Sequence, residues 1–322
     1  METNVTKTLR PWAADLRTFS RAFFPQTFSI VPDVSSRNPL ILISNDDGIT
    51  APGIAVLVRV MRRLGEVVVV APDSPQSGMG HAITIGHPLR LDPSRLFEDE
   101  GVEAYECSGT PADCVKLAKH MVLKDRTPDL VVSGINHGSN SSVNVLYSGT
   151  MSAAIEAAIE GLPAIGFSLC DYGHEADFSH VEEWVEHLTR QALAHGIPAG
   201  TALNINIPKK QERPILGTRL CRQARAKWQE EFDLRHDPHR RPYYWLIGNF
   251  VNEDQGEDTD EWALANNYIS VVPCQFDLTA HYGLRQLNES WDLTLGDQPP
   301  RRPSHPHTPY IGSATPTDPR PE

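Results

Sequence analysis

The stretch that decides the fold reads Ile41-Leu42-Ile43-Ser44-Asn45-Asp46-Asp47-Gly48. Its apolar run predicts a strand that is buried on both faces, as strands of a parallel sheet are. The run ends in two adjacent carboxylates, Asp46 and Asp47, and a Pro-Gly pair then opens an apolar helical pattern over residues 54–64. Because ligands of open α/β sheets bind beyond the carboxyl ends of the strands, this acidic turn is a candidate ligand site.

Two interpretations of the acidic turn are open from this stretch alone. Adjacent carboxylates repel each other, and a divalent cation would offset that repulsion. Alternatively, the stretch is a solvated turn whose Asp and Asn side chains cap the following helix. Other parts of the sequence are needed to distinguish a ligand site from a solvated turn.

Composition limits the classes of partner. The chain has 322 residues and a formal net charge of −12, a size that suits one large core with or without a small appended domain. The acidic balance argues against a nucleic-acid polymer or an anionic membrane as the main partner, although a metal ion could still recruit a small phosphorylated substrate. No apolar run approaches transmembrane length. The five cysteines lack CxxC spacing, so we expect reduced packing residues in a cytoplasmic protein.

Strand and helix patterns alternate between residues 38 and 208. Extended segments are predicted at 67–71, 82–91, 102–108, 130–133, 164–169 and 202–207, and helices at 53–64, 110–122, 149–160 and 181–194. This alternation predicts an α/β fold with a mostly parallel sheet and right-handed crossovers.

Three further segments flank or follow this core. Residues 1–37 form an N-terminal extension with a short amphipathic pattern, interpreted as a helix or arm packed on the core or a neighbour, with a transit peptide as the alternative. Residues 209–296 form a smaller C-terminal α+β part with a projecting hairpin. Its aromatic run at 242–248 indicates either a subunit contact or burial within the same chain. Residues 297–322 are Pro-rich, and we expect disorder there.

Three predicted strands end in polar loops. The first offers Asn45, Asp46 and Asp47, the second covers residues 73–80 and includes Ser77, and the third covers 134–148 and includes Asn136 and His137. Carboxylate, hydroxyl and amide oxygens suit Mg²⁺ or Mn²⁺, whereas Zn²⁺ prefers Cys and His. Since the carboxyl ends of parallel strands share one edge, the loops can converge into a hard-cation site.

Two helix starts are candidate anion sites. Ser148-Gly149-Thr150 and Ser108-Gly109-Thr110 each precede a predicted helix, where free N–H groups, the helix dipole and hydroxyls favour phosphate. Either motif alone is more typical of a simple helix cap. Two such motifs beside a candidate metal site favour a phosphate ester as the substrate.

Five ordered motifs together resemble the SurE family of stationary-phase survival nucleotidases. They are Ser44-Asn45-Asp46-Asp47-Gly48, Ala71-Pro72-Asp73 with Gln76-Ser77-Gly78, Gly109-Thr110-Pro111-Ala112-Asp113-Cys114-Val115, Ser133-Gly134-Ile135-Asn136-His137-Gly138-Ser139-Asn140 and Tyr147-Ser148-Gly149-Thr150. The similarity extends from about Asn38 to Trp291. It implies a Rossmann-like catalytic core at 38–208 and homodimers or homotetramers formed through the C-terminal part.

The resemblance also implies an activity and a set of site residues. We expect a 5'-nucleotidase that hydrolyses nucleoside monophosphates with one Mg²⁺ or Mn²⁺ per subunit, with 3'-nucleotidase and short-chain exopolyphosphatase activity as possible additions. The family motifs place the metal ligands at Asp46, Asp47, Ser77 and Asn136. The two aspartates are also the catalytic candidates, and the phosphate-binding candidates are Asn45, Ser148, Gly149 and Thr150.

Some mechanistic alternatives are open from the sequence. The attacking group is either a metal-bound water deprotonated by Asp46 or Asp47, or an aspartate that forms a covalent phosphoenzyme. His137 is interpreted as a surface or supporting residue and not as the general acid. A non-catalytic nucleotide sensor is the alternative function. A nicotinamide-dependent enzyme is excluded because the first strand leads into Asn-Asp-Asp-Gly, not GxGxxG.

Overall fold

The computed structural model describes the backbone of residues 29–30 together with residues 37–173 and 175–292. The predicted N-terminal amphipathic segment and the Pro-rich tail lie outside these ranges. The α-helices are α1 Pro52–Met61, α2 Pro111–Leu117, α3 Gly149–Ile159, α4 Glu182–His195, α5 Asp260–Ala265 and α6 His281–Ser290. The strands are β1 Ser29–Ile30, β2 Leu40–Ser44, β3 Glu66–Pro72, β4 Leu91–Ser94, β5 Glu103–Cys107, β6 Leu130–His137, β7 Ala164–Cys170, β8 Ile197–Pro198, β9 Thr201–Pro208, β10 Thr218–Leu220, β11 Ala226–His236, β12 Pro242–Asn252 and β13 Ile269–Gln275.

One nine-stranded sheet organises the described chain, in the order β10-β13-β9-β7-β6-β2-β3-β5-β4. The inner strands from β9 to β5 are all parallel to their neighbours. Within this sheet, antiparallel pairing occurs only toward the margins, between β13 and β9 and between β4 and β5. The predicted mostly parallel α/β sheet is therefore confirmed.

The two faces of the sheet are covered by different helices. In β2, Ile41 and Ile43 belong to the core shared with α1 and α4, whereas Leu40 and Leu42 belong to the core shared with α2 and α3. Burying an aliphatic side chain stabilises the fold by roughly 1.5–3 kcal/mol. Every position of the strand therefore favours an apolar residue, which accounts for the uninterrupted run in the sequence.

The predicted start of α2 is confirmed in detail. Thr110 is the N-cap, Pro111 follows it, and Thr110 and Asp113 form a reciprocal capping box. The Asp113 carboxylate also accepts hydrogen bonds from the main chain and hydroxyl of Thr84. The Ser108-Gly109-Thr110 motif thus caps the helix and anchors the preceding loop.

Several element boundaries differ from the predicted ones. The segment 82–90 forms no strand, and β4 begins only at Leu91, because Gly86 and Pro88 interrupt any continuous ladder. Strand β6 does not end at Ser133. It continues to His137 after a register shift against β7 between Ser133 and Asn136. Helix α6 was not predicted.

The C-terminal part extends the main sheet and carries the hairpin. Strand β13 pairs with β9, and β10 pairs with β13. Strands β11 and β12 form a separate two-stranded hairpin. Tyr244 and Trp245 on β12 are 62% and 57% exposed, so the alternative that this aromatic run is buried within the same chain is wrong, and the predicted subunit contact stays a prediction.

Two further predictions concern the whole described chain. All five cysteines lie within it and none forms a disulfide. Across the described ranges, no helix combines the length and the apolar character that a membrane crossing requires.

Candidate active site

The candidate site lies where the order of the parallel strands reverses. From β2 the chain proceeds through β3 to β5 on one side, and from β6 through β7 to β9 on the other. The neighbouring strands β2 and β6 therefore flank a switch point, where open α/β sheets bind their ligands. Asp46 and Asp47 directly follow β2, and Asn136 lies at the end of β6.

Asp46 is the residue that joins the separate parts of the site. It is 4% exposed, and its Oδ1 accepts a hydrogen bond from the hydroxyl of Thr150 on α3. Its main-chain carbonyl accepts a hydrogen bond of 2.7 Å from the N–H of Gln76, in the loop after β3. A Cβ atom at Gly149 would lie 2.5 Å from the Cβ of Asp46. Only glycine therefore allows α3 to start this close to the carboxylate.

Asp47 connects the first loop to the end of β6. Its Oδ2 accepts a hydrogen bond of 3.1 Å from the backbone N–H of His137. In the adjoining residue, the Nδ2 of Asn136 donates to the carbonyl of Gly138 at 2.8 Å, which leaves the Oδ1 of Asn136 as an acceptor. The structure thus brings the acidic turn and the amide of Asn136 to adjacent strand ends, as the sequence predicted.

The two carboxylates are in an environment that disfavours their charge. Burial raises the pKa of Asp46 from 3.8 to about 6; the hydrogen bond from Thr150 opposes this rise, and repulsion from Asp47 adds to it. Burial also raises the pKa of Asp47, against the hydrogen bond from the His137 backbone. A bound cation would reverse both effects, because it favours the ionised carboxylates.

The donor set fits a hard cation. The buried Oδ1 of Asn45 has no hydrogen-bond partner within the described chain, so an oxygen ligand is left over next to the two carboxylates. The described residues contain no group of three or more His, Cys, Asp or Glu side chains that could hold a metal ion. A cation here would therefore need neutral oxygens as well, such as those of Ser77 and Asn136, and this mixture suits Mg²⁺ or Mn²⁺.

The loop that carries Ser77 is fixed on both sides of that residue. Before it, Gln76 donates to Asp46; after it, the N–H of Gly80 donates to the carbonyl of Tyr147 at 3.1 Å. The Nε2 of His81 then lies 2.9 Å from the carboxylate of Glu156 on α3. Ser77 itself is exposed and is held beside Asp46 through the backbone of its neighbour.

The contact between His81 and Glu156 was not predicted from the sequence. Glu156 is only 3% exposed and also receives a hydrogen bond from Lys116 on α2. Despite its burial, the two hydrogen bonds and the neighbouring charges keep the pKa of Glu156 below its usual value. The one available signal was a single carboxylate within an Ala-rich helix that is otherwise apolar or small.

The predicted phosphate-binding residues have defined positions. Ser148 is the N-cap of α3, and its Oγ accepts the N–H of Met151 at 3.0 Å. The hydroxyl of Thr150 is buried and is used by Asp46, and Gly149 lies against the same carboxylate. The start of α3 is therefore at the acidic site. A phosphate contact for Ser148, Gly149, Thr150 and Asn45 stays a prediction.

The fold and these groups define a Rossmann-like α/β protein with an acidic site at the switch point of its sheet. A family model described as "Survival protein SurE" matches residues 41–230. The protein named 5'-nucleotidase SurE of Cytophaga hutchinsonii is 67% identical over 253 residues, which cover 79% of this chain and 97% of that protein. Its namesake in Christiangramia forsetii is 59% identical over 260 residues, covering 81% and 99%.

A solved structure agrees with these relatives. The crystal structure of the SurE protein from Aquifex aeolicus superposes with a TM-score of 0.68 at 37% sequence identity, covering 78% of this chain and 99% of that one. The chain belongs to the SurE family. The resemblance that the sequence motifs indicated is confirmed.

Proposed function

We propose that this protein, an enzyme of the phosphoric monoester hydrolase class, hydrolyses nucleoside monophosphates to nucleoside and phosphate with one Mg²⁺ or Mn²⁺ per subunit. The observation that carries the proposal is the buried Asp46 carboxylate, which contacts Thr150 and Gly149 at the start of α3. A buried acid beside a helix N-terminus combines a cation site with an anion site. The relatives named 5'-nucleotidase SurE support the same activity.

The cation would be held by Asp46, Asp47, Ser77 and Asn136. When bound, it would neutralise charge on the phosphate and polarise the phosphorus atom. The hydroxyl of Thr150 keeps the Asp46 carboxylate in one orientation, and the His137 backbone does the same for Asp47. Two fixed carboxylates meet the requirement of phosphoryl transfer for precise positioning of charge.

The start of α3 would hold the phosphate. This helix has eleven residues and no carboxylate in its first turn, so the N–H groups and the dipole at its N-terminus face no competing side-chain charge of their own helix. We assign phosphate contacts to this helix start, at Ser148, Gly149 and Thr150. We assign one also to Asn45, whose amide has to turn for this contact, because in this structure its Nδ2 donates to the carbonyl of Gly48. Asp46 or Asp47 accepts the proton of the attacking water.

A covalent aspartyl-phosphate is the alternative to direct attack by water. Both routes place an oxygen of water in phosphate after many turnovers, so multiple-turnover labelling does not separate them. The configuration at phosphorus does separate them, in a nucleotide whose phosphate is chiral through its oxygen isotopes. Direct attack by water inverts the configuration, whereas two successive displacements through an aspartyl-phosphate retain it. Label in the carboxyl group of Asp46 or Asp47 after a single turnover in heavy-oxygen water would likewise contradict direct attack.

Three finer assignments accompany this activity. The exposed hairpin of β11 and β12 supports a homodimer or homotetramer. Five free cysteines support a reducing, cytoplasmic location. Hydrolysis of 3'-phosphates and of short polyphosphates would use the same cation site, since both present a terminal phosphate.

The test is phosphate release from adenosine 5'-monophosphate by the purified protein. We expect turnover with Mn²⁺ or Mg²⁺, no turnover after a chelator, and recovery when the metal is restored. Assays with nucleoside 3'-monophosphates and tripolyphosphate then show which other phosphate compounds the enzyme hydrolyses. Nucleotide binding without phosphate release under every metal condition would instead establish a non-catalytic sensor.

A further inference from the structure

A cavity lies beside the candidate active site at the same edge of the sheet. It has a volume of about 400 Å³, and its lining includes Tyr172, Pro208, Lys209 and Gln211. These residues lie at or just beyond the ends of β7 and β9, the two strands next to β6 on the side away from β2. Since strands are spaced by about 4.8 Å, the step from β6 to β9 spans roughly 10 Å, which is about the length of a mononucleotide.

The Tyr172 ring is held firmly against the segment that carries Asn136. The N–H of Ser139 donates to the hydroxyl of Tyr172 at 3.1 Å. A Cβ atom at Gly138 would lie 2.6 Å from Cε1 of the ring, so the ring packs directly on the glycine backbone. In the next residue, the carbonyl of Gly173 lies 2.5 Å from the Nε2 of His137. The tyrosine is therefore positioned by the segment that follows a proposed metal ligand.

Although it is fixed on one side, the tyrosine is open on the other. Tyr172 is 68% exposed, although its hydroxyl and one side of its ring are engaged. An exposed, preoriented ring loses little side-chain entropy when a flat partner stacks on it. Lys209 and Gln211 supply a donor and an amide to the same cavity, and these groups can meet the polar edge of a heterocycle.

We propose that this cavity receives the nucleobase of the substrate and that Tyr172 stacks on the base. The assignment rests on the proposed nucleotidase function, because it requires the phosphate to lie between the proposed cation site and the start of α3. It makes Tyr172 a determinant of specificity: the ring contributes to binding only when the phosphate ester carries a base. Sugar phosphates without a base would bind through the cation site and α3 alone.

The experiment compares two substrates that share the 5'-phosphoribosyl group, adenosine 5'-monophosphate and ribose 5-phosphate. Loss of base stacking typically weakens binding by a factor of about 5 to 150. In Tyr172→Leu we therefore expect KM for the nucleotide to rise about tenfold or more, with KM for ribose 5-phosphate unchanged within about twofold. Tyr172→Phe keeps the ring and should stay close to wild type with both substrates.

Every other outcome overturns either the assignment of Tyr172 or the proposed function. Equal increases in KM for both substrates in Tyr172→Leu, or no change for either, overturn the assignment. Tyr147 is also exposed near the start of α3; if Tyr147→Leu shows the nucleotide-selective effect in place of Tyr172→Leu, the base binds elsewhere and the assignment is wrong. If the wild-type enzyme hydrolyses neither substrate with any metal, the proposed function itself fails. Thermal unfolding of each variant verifies that it is folded.

Discussion

Replacing Asp46 by asparagine is expected to stabilise the metal-free protein while abolishing its activity. In the folded chain, burial raises the pKa of Asp46 from 3.8 to about 6. Keeping this carboxylate ionised at pH 7.5 therefore costs about 3 kcal/mol of folding free energy. Asparagine removes the charge and retains an oxygen that can accept the hydrogen bond from Thr150. The expected gain in the free energy of unfolding is thus up to about 3 kcal/mol.

The gain should depend on pH in a defined direction. A carboxyl group whose pKa is raised by folding stabilises the fold fully below its unfolded pKa, and this contribution is lost as the pH rises through the folded pKa. For Asp46 the window extends from about pH 4 to about pH 6. The free energy of unfolding of Asp46→Asn should therefore be higher than that of the wild type above this pH window. The difference should disappear at about pH 4.

Urea denaturation in the presence of a chelator, at pH 7.5 and at pH 4, measures the difference. The matched control is Asp73→Asn, the same chemical change at an exposed carboxylate in the neighbouring loop, for which we expect a change within about 0.5 kcal/mol. Mn²⁺ should raise the midpoint of the wild type and leave that of Asp46→Asn unchanged, and turnover should fall by several orders of magnitude. An asparagine variant that is no more stable than the wild type at pH 7.5 would refute the reasoning about the buried charge.

Three further variants test other parts of the structure. His81→Ala should raise the Mn²⁺ concentration for half-maximal activity about tenfold, because it releases the loop that carries the proposed ligand Ser77. His81→Gln should restore most of the apparent affinity for Mn²⁺. An equal effect from His87→Ala would contradict the anchoring role of His81. Gly149→Ala should lower kcat/KM about 100-fold, since its Cβ would displace Asp46, and wild-type kinetics would show that the contact is dispensable. Trp245→Asp should lower the molar mass measured by light scattering, because it places a charge on the exposed hairpin proposed as the subunit contact. An unchanged molar mass would exclude this hairpin from the interface.

The sequence predicted the elements that depend on local patterns. Strand β2 is apolar because both of its faces are buried, and α2 begins with a cap, a proline and an acid within four residues. The extension of β6 to His137 was missed because a register shift depends on the neighbouring strand, β7, and not on the sequence of β6 alone.

The long-range contacts of the site could not be predicted from the sequence either, because they also depend on elements that are distant along the chain. His137 and Asp47 are 90 residues apart, and His81 and Glu156 are 75 apart. Periodicity tells which face of an element is buried, but it does not say which side chain of another element will meet it there. The motifs could thus name candidate residues at the shared edge of the sheet, whereas the partners that orient them became visible only in three dimensions.

The hydrogen bond between Thr150 and Asp46 joins residues that are 104 positions apart. During synthesis the chain leaves the ribosome from its N-terminus, so the acidic turn emerges well before α3 exists. Until that helix docks, the carboxylate stays hydrated and ionises like any surface aspartate. The free-energy cost of burying the Asp46 carboxylate therefore arises only when α3 docks. A nascent or truncated chain that ends before Thr150 would contain Asp46 and Asp47 without the burial that raises the pKa of Asp46.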